Sequence, residues 1–436
     1  MKELKEFMDE IVKANPEVRG KYICSPEDFT RNRDLPFSTV VLMILNLMKR
    51  SLSIEIHSFF SYLGHLTSVT KAAFCMQRAK LQPEFFAAWN KVLVDSFYKN
   101  YGENAKRWHG FILMAIDGTT LSLPNTKALR ALYGSSGNQH GEQGVTARSS
   151  VLYDVLNGLV ISGSLDHYTT PERSTAIRFL QNVPQDSLLL LDRGYPCFAL
   201  LYLLTHVNKR HFVMRVKSSF SKQIQAFAES AQTDCQIEIT ATSGGIGRLK
   251  EEGIAIDSSA SVEVRLAKVK LDNGEEEILM TSLYDPNQYP LADLKEVYFM
   301  RWGIETYYGF EKNELQIENF SGIRPLCILQ DFFANLFVYN LQSIIEKQSE
   351  PYLEAVSKKR NYHYKINKNV SFAMLKDRMV ELFLERKEPA DILMELQALF
   401  EQNLEPVRPG RKYPRIKKVR KVNGKYITLT NYKRAI

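Results

Sequence analysis

The chain has 436 residues, 57 Lys and Arg against 49 Asp and Glu, and a formal charge of +8 with a pI near 9.0. That length allows more than one domain, and the modest basic excess suits a polyanionic partner without singling one out. Five scattered cysteines without a C-x-x-C pair argue against a disulfide framework and zinc, while the lack of a signal-like opening or of about 18 consecutive apolar residues leads us to expect a soluble, cytoplasmic protein with no membrane partner.

Residues 1 to about 105 read as helical. Phe37 to Met48 is apolar at helical spacing, and Pro36 suits a helix start. Thr67 to Thr70 offers capping residues for a helix over about Lys71 to Lys80, with Lys71, Gln77, Arg78 and Lys80 expected outside and Ala72, Phe74, Cys75 and Ala79 inside. A short capped helix after another fits a helix-turn-helix reader of DNA, or equally an ordinary helical bundle.

From 106 the pattern becomes α/β. Phe111 to Ile116 is an apolar run ended by Asp117 and Gly118, and Leu188 to Leu191 is another, ended by Asp192, Arg193 and Gly194. Such runs read as buried strands, and an acid at a strand's exit stands where open α/β sheets place ligands. Between them, Ser149 to Ile161 alternates around Asn157-Gly158, a hairpin signal, and a helix begins near Pro171 and Glu172 with Thr170 as a candidate cap. A helix over about Cys197 to Val207 and a strand at Phe212 to Val216 follow. Strand-like segments at Gln236 to Thr242, Val262 to Leu271 and Glu277 to Leu283, with a turn at Asp272-Asn273-Gly274, fill the interval before the next helix.

That helix carries Tyr298, Arg301, Glu305 and Lys312, whose spacing places all four within about 60° of one helical stripe. Phe299, Met300, Ile304, Tyr307, Phe310 and Leu315 supply the apolar side. A polar stripe is most often just a solvated face. Here, two aspartates at strand ends offer it partners, and a carboxylate between cations suits a metal ion and a phosphodiester. Helical patterning resumes from Gln330 to about Gln402, and eleven Lys and Arg with no acid follow from Arg408 to the end.

In this order, Asp117 in M-A-I-D-G-T-T, Asp192 in L-L-D-R-G-Y and Glu305 within Y-x2-R-x3-E-x6-K resemble a bacterial DDE transposase of the insertion-sequence-four family. The likeness runs from about residue 60 to the basic tail, where R-K-Y-P-R at 411–415 resembles the family's closing element. It implies an RNase H-like mixed-sheet core (106–217 plus 291–345) with a β-rich insertion (218–290). It also implies a helical DNA-binding domain (1–105), a helical C-terminal region (346–403) and a basic tail (404–436). Asp117, Asp192 and Glu305 are then catalytic and hold Mg2+ or Mn2+, two ions in the usual arrangement for this chemistry. Tyr298, Arg301, Lys312, Trp302 and Arg193 become DNA contacts, with Trp302 either a core anchor or a platform for a displaced base.

The implied activity is cut-and-paste transposition: binding of the element's inverted repeats, strand cleavage, and transfer into target DNA, with a homodimer in the synaptic complex. One feature departs from the family. Relatives that pass through a DNA hairpin carry a tryptophan in the β-insertion, whereas the tryptophans here are Trp89, Trp108 and Trp302. Phe220 and Phe227 are the aromatic rings at hand for that role. The alternatives are a plain metal-dependent DNA nuclease and a catalytically silent DNA-binding regulator; the intact signature at all of these positions argues against decay. Gly244 to Gly247 reads as a flexible turn rather than a dinucleotide loop, and the histidines show no ligand pairing.

Overall fold

The computed structural model describes residues 1–13, 16–30, 34–46, 50–64, 69–137, 143–271, 274–384 and 387–408, with the pairs 421–422 and 425–426. The R-K-Y-P-R element and most of the basic tail lie outside these residues. The chain forms two compact units, one of residues 101–121 and 133–310, the other of 1–100, 122–132 and 311–436.

The first unit is built on one sheet. Among the described residues its strands are β1 (Ile112–Ser122), β2 (Ser135–Gly137), β3 (Gln143–Asp154), β4 (Leu159–His167), β5 (Ser187–Leu191), β6 (His211–Val216), β7 (Asp234–Thr240), β8 (Ser261–Lys270) and β9 (Glu276–Thr281). The order is β2-β3-β1-β5-β6-β9-β8-β7, with β4 on the far side of β3. β1, β5 and β6 run parallel at the centre, and β5, Ser-Leu-Leu-Leu-Leu, is buried along its whole length. A strand covered on both faces has no reason to alternate, so it reads as one apolar run. β3 and β4 form the expected hairpin, closed by Asn157-Gly158 with Gly158 at φ +67°. The Asp154 carboxylate accepts from the Leu156 and Asn157 amides and fixes that turn. This is a mixed-sheet α/β core of RNase H-like type.

The segment expected as a β-insertion does not stand apart from this sheet. β9 pairs antiparallel with β6, β8 with β9 and β7 with β8, so 234–281 lengthens the core sheet. Arg265 of β8 is fully buried there, held by Asp234 and by the Leu283 and Tyr289 carbonyls. Gly274 adopts φ +86° in the β8–β9 turn; Asp272 and Asn273 lie outside the described residues.

In the second unit, helices from both ends of the chain share one core. Trp89 of the helix Glu84–Tyr101 is fully buried and stacks on Phe337 at 4.3 Å, with Phe383 at 5.0 Å. Phe337 belongs to the helix Pro325–Lys347 and Phe383 to Lys368–Phe383. The five expected segments therefore do not coincide with the compact units: residues 1–100 pack with residues beyond 311. The helix Lys71–Arg78 forms as expected, capped by Thr70 Oγ1, which accepts from the Ala73 amide at 3.1 Å.

Its faces differ from the expectation. Arg78 is 2% exposed, while Ala72 and Cys75 are exposed. The Arg78 guanidinium donates to Gln330, Ser321, the Cys327 carbonyl and Asp331, the last at 2.7 Å. Among the described residues, no helix is long and apolar enough to cross a membrane.

Candidate active site

Asp117 and Asp192 come from adjacent parallel strands. The offset that pairs Ile112 with Ser187 and Ala115 with Leu190 also relates Asp117 to Asp192. Pairing stops at Ala115, so both carboxylates follow the last shared rung, at the carboxyl ends of the central strands. β1 itself continues to Ser122, so Asp117 lies within a strand rather than at its exit. Asp117 Oδ1 accepts from the Gly118 amide at 2.8 Å, and Asp192 Oδ1 accepts from the Arg193 amide.

The third acid arrives on a broken helix. The expected single helix through 298–312 is two, Leu291–Met300 and Gly303–Asn313, joined by a tight turn at Arg301 and Trp302. The Arg301 and Trp302 amides bond back three residues, to Tyr298 and Phe299, as does Ile304 to Arg301. Glycine suits this break: a Cβ at 303 would stand 3.0 Å from Val155 Cγ1. The break changes what faces outward. Phe299, expected inside, is 67% exposed, and Trp302 is 51% exposed, which excludes a core-anchor role for that tryptophan.

Arg301 is the hub. It is 6% exposed, with Nη1 3.7 Å from Asp117 Oδ2 and Nη2 3.3 Å from Glu305 Oε1, and Asp192 also interacts with it electrostatically. Its guanidinium lies 5.8 Å from the Tyr298 ring centre and 5.5 Å from that of Trp302. Burial pushes Asp117 up to about 6, with Glu172 and Asp192 adding to the rise and Gly118 and Arg301 opposing it. Burial likewise raises the Tyr298 phenol to about 12, so it stays protonated at neutral pH.

Two residues fall elsewhere. Lys312 ends the Gly303–Asn313 helix within the other compact unit, half-buried, its ammonium lowered by burial against the opposing pull of Glu318 and Glu311. Arg193 is exposed and lines a cavity of about 470 Å3 in which Arg215, Lys217 and Lys268 face the two carboxylates Glu276 and Glu277. Arg215 is already paired with Glu277 at 2.8 Å. Phe227 is 4% exposed beneath the Lys268 ammonium, so it presents no free ring.

Sequence reasoning passed over Glu172, which it read only as a helix start. A Cβ placed on Gly118 would meet Glu172 Oε1 at 3.5 Å, and one on Gly194 would meet Oε2 at 3.5 Å. The carboxylate thus sits against the residue that follows Asp117 in β1 and against the turn that follows Asp192. Its cap is not Thr170: Pro171 precedes the helix Glu172–Phe179 and makes no side-chain capping bond.

Whether these residues suit divalent ions rests on their chemistry. Among the described residues no three His, Cys, Asp or Glu side chains are gathered closely enough to form a ready cage. Asp117, Asp192 and Glu305 converge on Arg301 instead. Their oxygens are the hard donors that Mg2+ and Mn2+ take, and with Glu172 the acids outnumber the guanidiniums of Arg301 and Arg148 around them. Arg301 Nε is buried with no hydrogen-bond partner among the described residues. The donor set fits a hard cation beside a phosphate.

Comparison with known proteins identifies a family. Residues 108–341, more than half of the chain, match the transposase DDE domain family. Transposase InsG for insertion sequence element IS4 of Escherichia coli (strain K12) is 21% identical over 239 residues, covering 54% of this chain. The match spans about half of that relative, 52% of its length. The cryo-EM structure of the piggyBac transposase synaptic complex with hairpin DNA is similar over 94% of this chain and 83% of that one, at 12% identity and a TM-score of 0.39. The chain belongs to the transposase DDE domain family.

Proposed function

We propose that this protein is a DNA transposase that binds the inverted repeats of its own element, cleaves a strand at each end and joins the freed 3′-hydroxyl to target DNA. One observation carries the reading: Asp117, Asp192 and Glu305, from three separate elements, all interact with the Arg301 guanidinium. In this reading the three carboxylates hold Mg2+ or Mn2+. The bound ions, two in the usual arrangement, supply Lewis-acid activation of the nucleophile and of the departing oxygen.

The protein's own groups do the rest. Arg301 grips a phosphate oxygen with its fork, and the two aromatic rings beside it hold the guanidinium plane in place. The protonated Tyr298 phenol donates to a phosphate. Trp302 and Phe299, both exposed beside the centre, offer faces on which a base displaced from the duplex stacks. Arg193 and the basic cavity behind it track the backbone as point charges. In hydrolysis, water's oxygen bonds to phosphorus as the bond to the 3′ oxygen breaks, leaving a 3′-hydroxyl and a 5′-phosphate. In transfer, that hydroxyl oxygen attacks a target phosphodiester, one P–O bond forming as another breaks, with its proton passing to the departing oxygen through solvent. No net bond energy is spent, so no nucleotide is consumed.

Residues 1–105 are assigned to recognition of the repeats, 106–217 with 291–345 to catalysis, 218–290 to the strand insertion, 346–403 to dimer support, and the basic tail to the backbone, within a homodimeric synaptic complex in the bacterial cytoplasm. The test is cleavage of paired element ends, defined from the inverted repeats flanking the gene, by purified protein with Mg2+. Glu305→Gln is expected to abolish nicking while end binding persists. Nicking that survives the substitution overturns the site, and nicking without strand transfer to a target plasmid makes the protein a nuclease.

A further inference from the structure

We infer that Glu172 is a positioning residue of this centre, one that keeps the Arg148 guanidinium away from Asp117 so that a divalent cation finds the carboxylate free. The inference rests on the metal reading above and adds a residue outside the family signature.

The geometry is specific. Arg148 projects from β3, and its Nη1 lies 2.5 Å from Glu172 Oε1, while its Nε donates to the Tyr168 carbonyl at 3.3 Å. A Cβ on Gly118, the residue after Asp117, would stand 3.5 Å from that same Nη1 and 3.5 Å from Glu172 Oε1. The cation is therefore next door to Asp117 and is turned aside by one acceptor. The other Glu172 oxygen faces Gly194, and the neighbouring Arg173 donates from Nε to the Gly194 carbonyl at 2.8 Å. The start of this helix is thus fastened to the turn after Asp192 as well.

Cβ positions at 118 and 194 would both stand 3.5 Å from the carboxylate, so Glu172 lies against both glycines. Ser150 Oγ, buried and without a hydrogen-bond partner among the described residues, lies 3.2 Å from the Cβ position at 118. Among the described residues, Glu172 and the Tyr168 carbonyl hold the Arg148 head.

A guanidinium and a divalent ion compete for one carboxylate. With Glu172 removed, Arg148 loses its anionic partner beside Gly118, and in this inference it turns to the neighbouring Asp117. Groups that orient ligands in this way typically contribute about 10–100-fold in metal affinity.

The experiment titrates the full chain with Mn2+ alone and follows the loss of the free-ion paramagnetic resonance signal, with thermal unfolding as a check on folding. Glu172→Ala is expected to weaken Mn2+ binding at least about tenfold. Adding Arg148→Ala to that variant is expected to restore affinity to within about twofold of the unmodified chain, because the competing cation is gone. Arg148→Ala alone should bind Mn2+ at least as tightly as the unmodified chain. An unchanged Glu172→Ala variant, an unrescued double variant, or a loss of affinity in Arg148→Ala overturns the inference. Asp117→Asn separates it from the broader reading: if that variant loses Mn2+ while Glu172→Ala keeps it, the metal centre stands and the role of Glu172 falls. If the unmodified chain binds no Mn2+, both fall.

Discussion

The Tyr308 hydroxyl donates to the backbone carbonyl of Asp117 at 2.7 Å. This single bond ties the helix bearing Glu305 to the strand bearing the first aspartate, across 191 residues of sequence. Tyr308 is 7% exposed, and the preceding Tyr307 stacks on Tyr153 at 5.3 Å, so the helix is seated on the sheet by two consecutive rings.

Tyr308→Phe keeps the ring and removes the donor. It should cost about 1 kcal/mol of stability in urea unfolding, the usual net worth of such a bond. Strand cleavage should fall further than that loss implies, because the distance between Asp117 and Glu305 is no longer fixed, while binding of element ends is retained. A variant that cleaves at the unmodified rate shows that this tie does not position the acids.

Much of this centre was legible because strand ends write themselves into sequence. Leu188 to Leu191 is buried on both faces and stops at Asp192, and the hairpin at Asn157-Gly158 declares its own turn. What local patterning misses is partnership across distance. Arg78 looks like a solvent-facing cation until Asp331 is found 253 residues later. Glu172 looks like a helix start until the two glycines beside it are seen to follow Asp117 in its strand and Asp192 in its turn. The strands of 234–281 announce themselves, yet nothing in them says that β9 will pair with β6. The break at Arg301 and Trp302 precedes Gly303, where a Cβ would crowd Val155 of the distant β3–β4 turn, a contact that local patterning does not contain.

The raised Asp117 carboxyl sets a pH dependence with a definite sign. Its pKa is about 6 in the folded chain against an ordinary value of 3.8, so between these values the folded state holds more protons than the unfolded one. Stability then falls as pH rises through this window. The full shift corresponds to about 3 kcal/mol at most. Without divalent ions, urea unfolding should show a more stable protein at pH 4.5 than at pH 7 from this group, and Asp117→Asn should flatten the difference. Mn2+ at pH 7 should recover stability in the unmodified chain and not in Asp117→Asn. A pH profile identical in the two proteins would mean that Asp117 is not the buried acid.

Trp302 and Phe299 are exposed beside a buried guanidinium, an expensive place for apolar rings in water unless something covers them. Trp302→Ala should leave unfolding within about 0.5 kcal/mol of the unmodified chain, because the ring packs little of the core. Engagement of element ends should weaken by about tenfold or more, the usual loss when one base-stacking ring is removed. Measured by gel shift with paired ends and Ca2+ in place of Mg2+, unaltered affinity would remove the base-stacking role.

Arg78 supplies the converse case, a cation whose removal should harm folding and not DNA contact. Its guanidinium is 2% exposed and bonded to Gln330, Ser321, the Cys327 carbonyl and Asp331, and Gln330 returns bonds to the Arg78 and Leu81 carbonyls. Arg78→Met keeps the stem and strips the charge, leaving the Asp331 carboxylate buried with only the Ser321 amide and hydroxyl. Breaking a buried pair on one side costs about 3–5 kcal/mol. Asp331→Asn should cost a comparable amount, because the amide oxygen still accepts from Arg78 but the buried guanidinium loses its counter-charge. The measurement is urea unfolding of both variants alongside end binding at a temperature where each is folded. A stable Arg78→Met variant with weakened end binding would return this side chain to the DNA surface that its sequence context suggested.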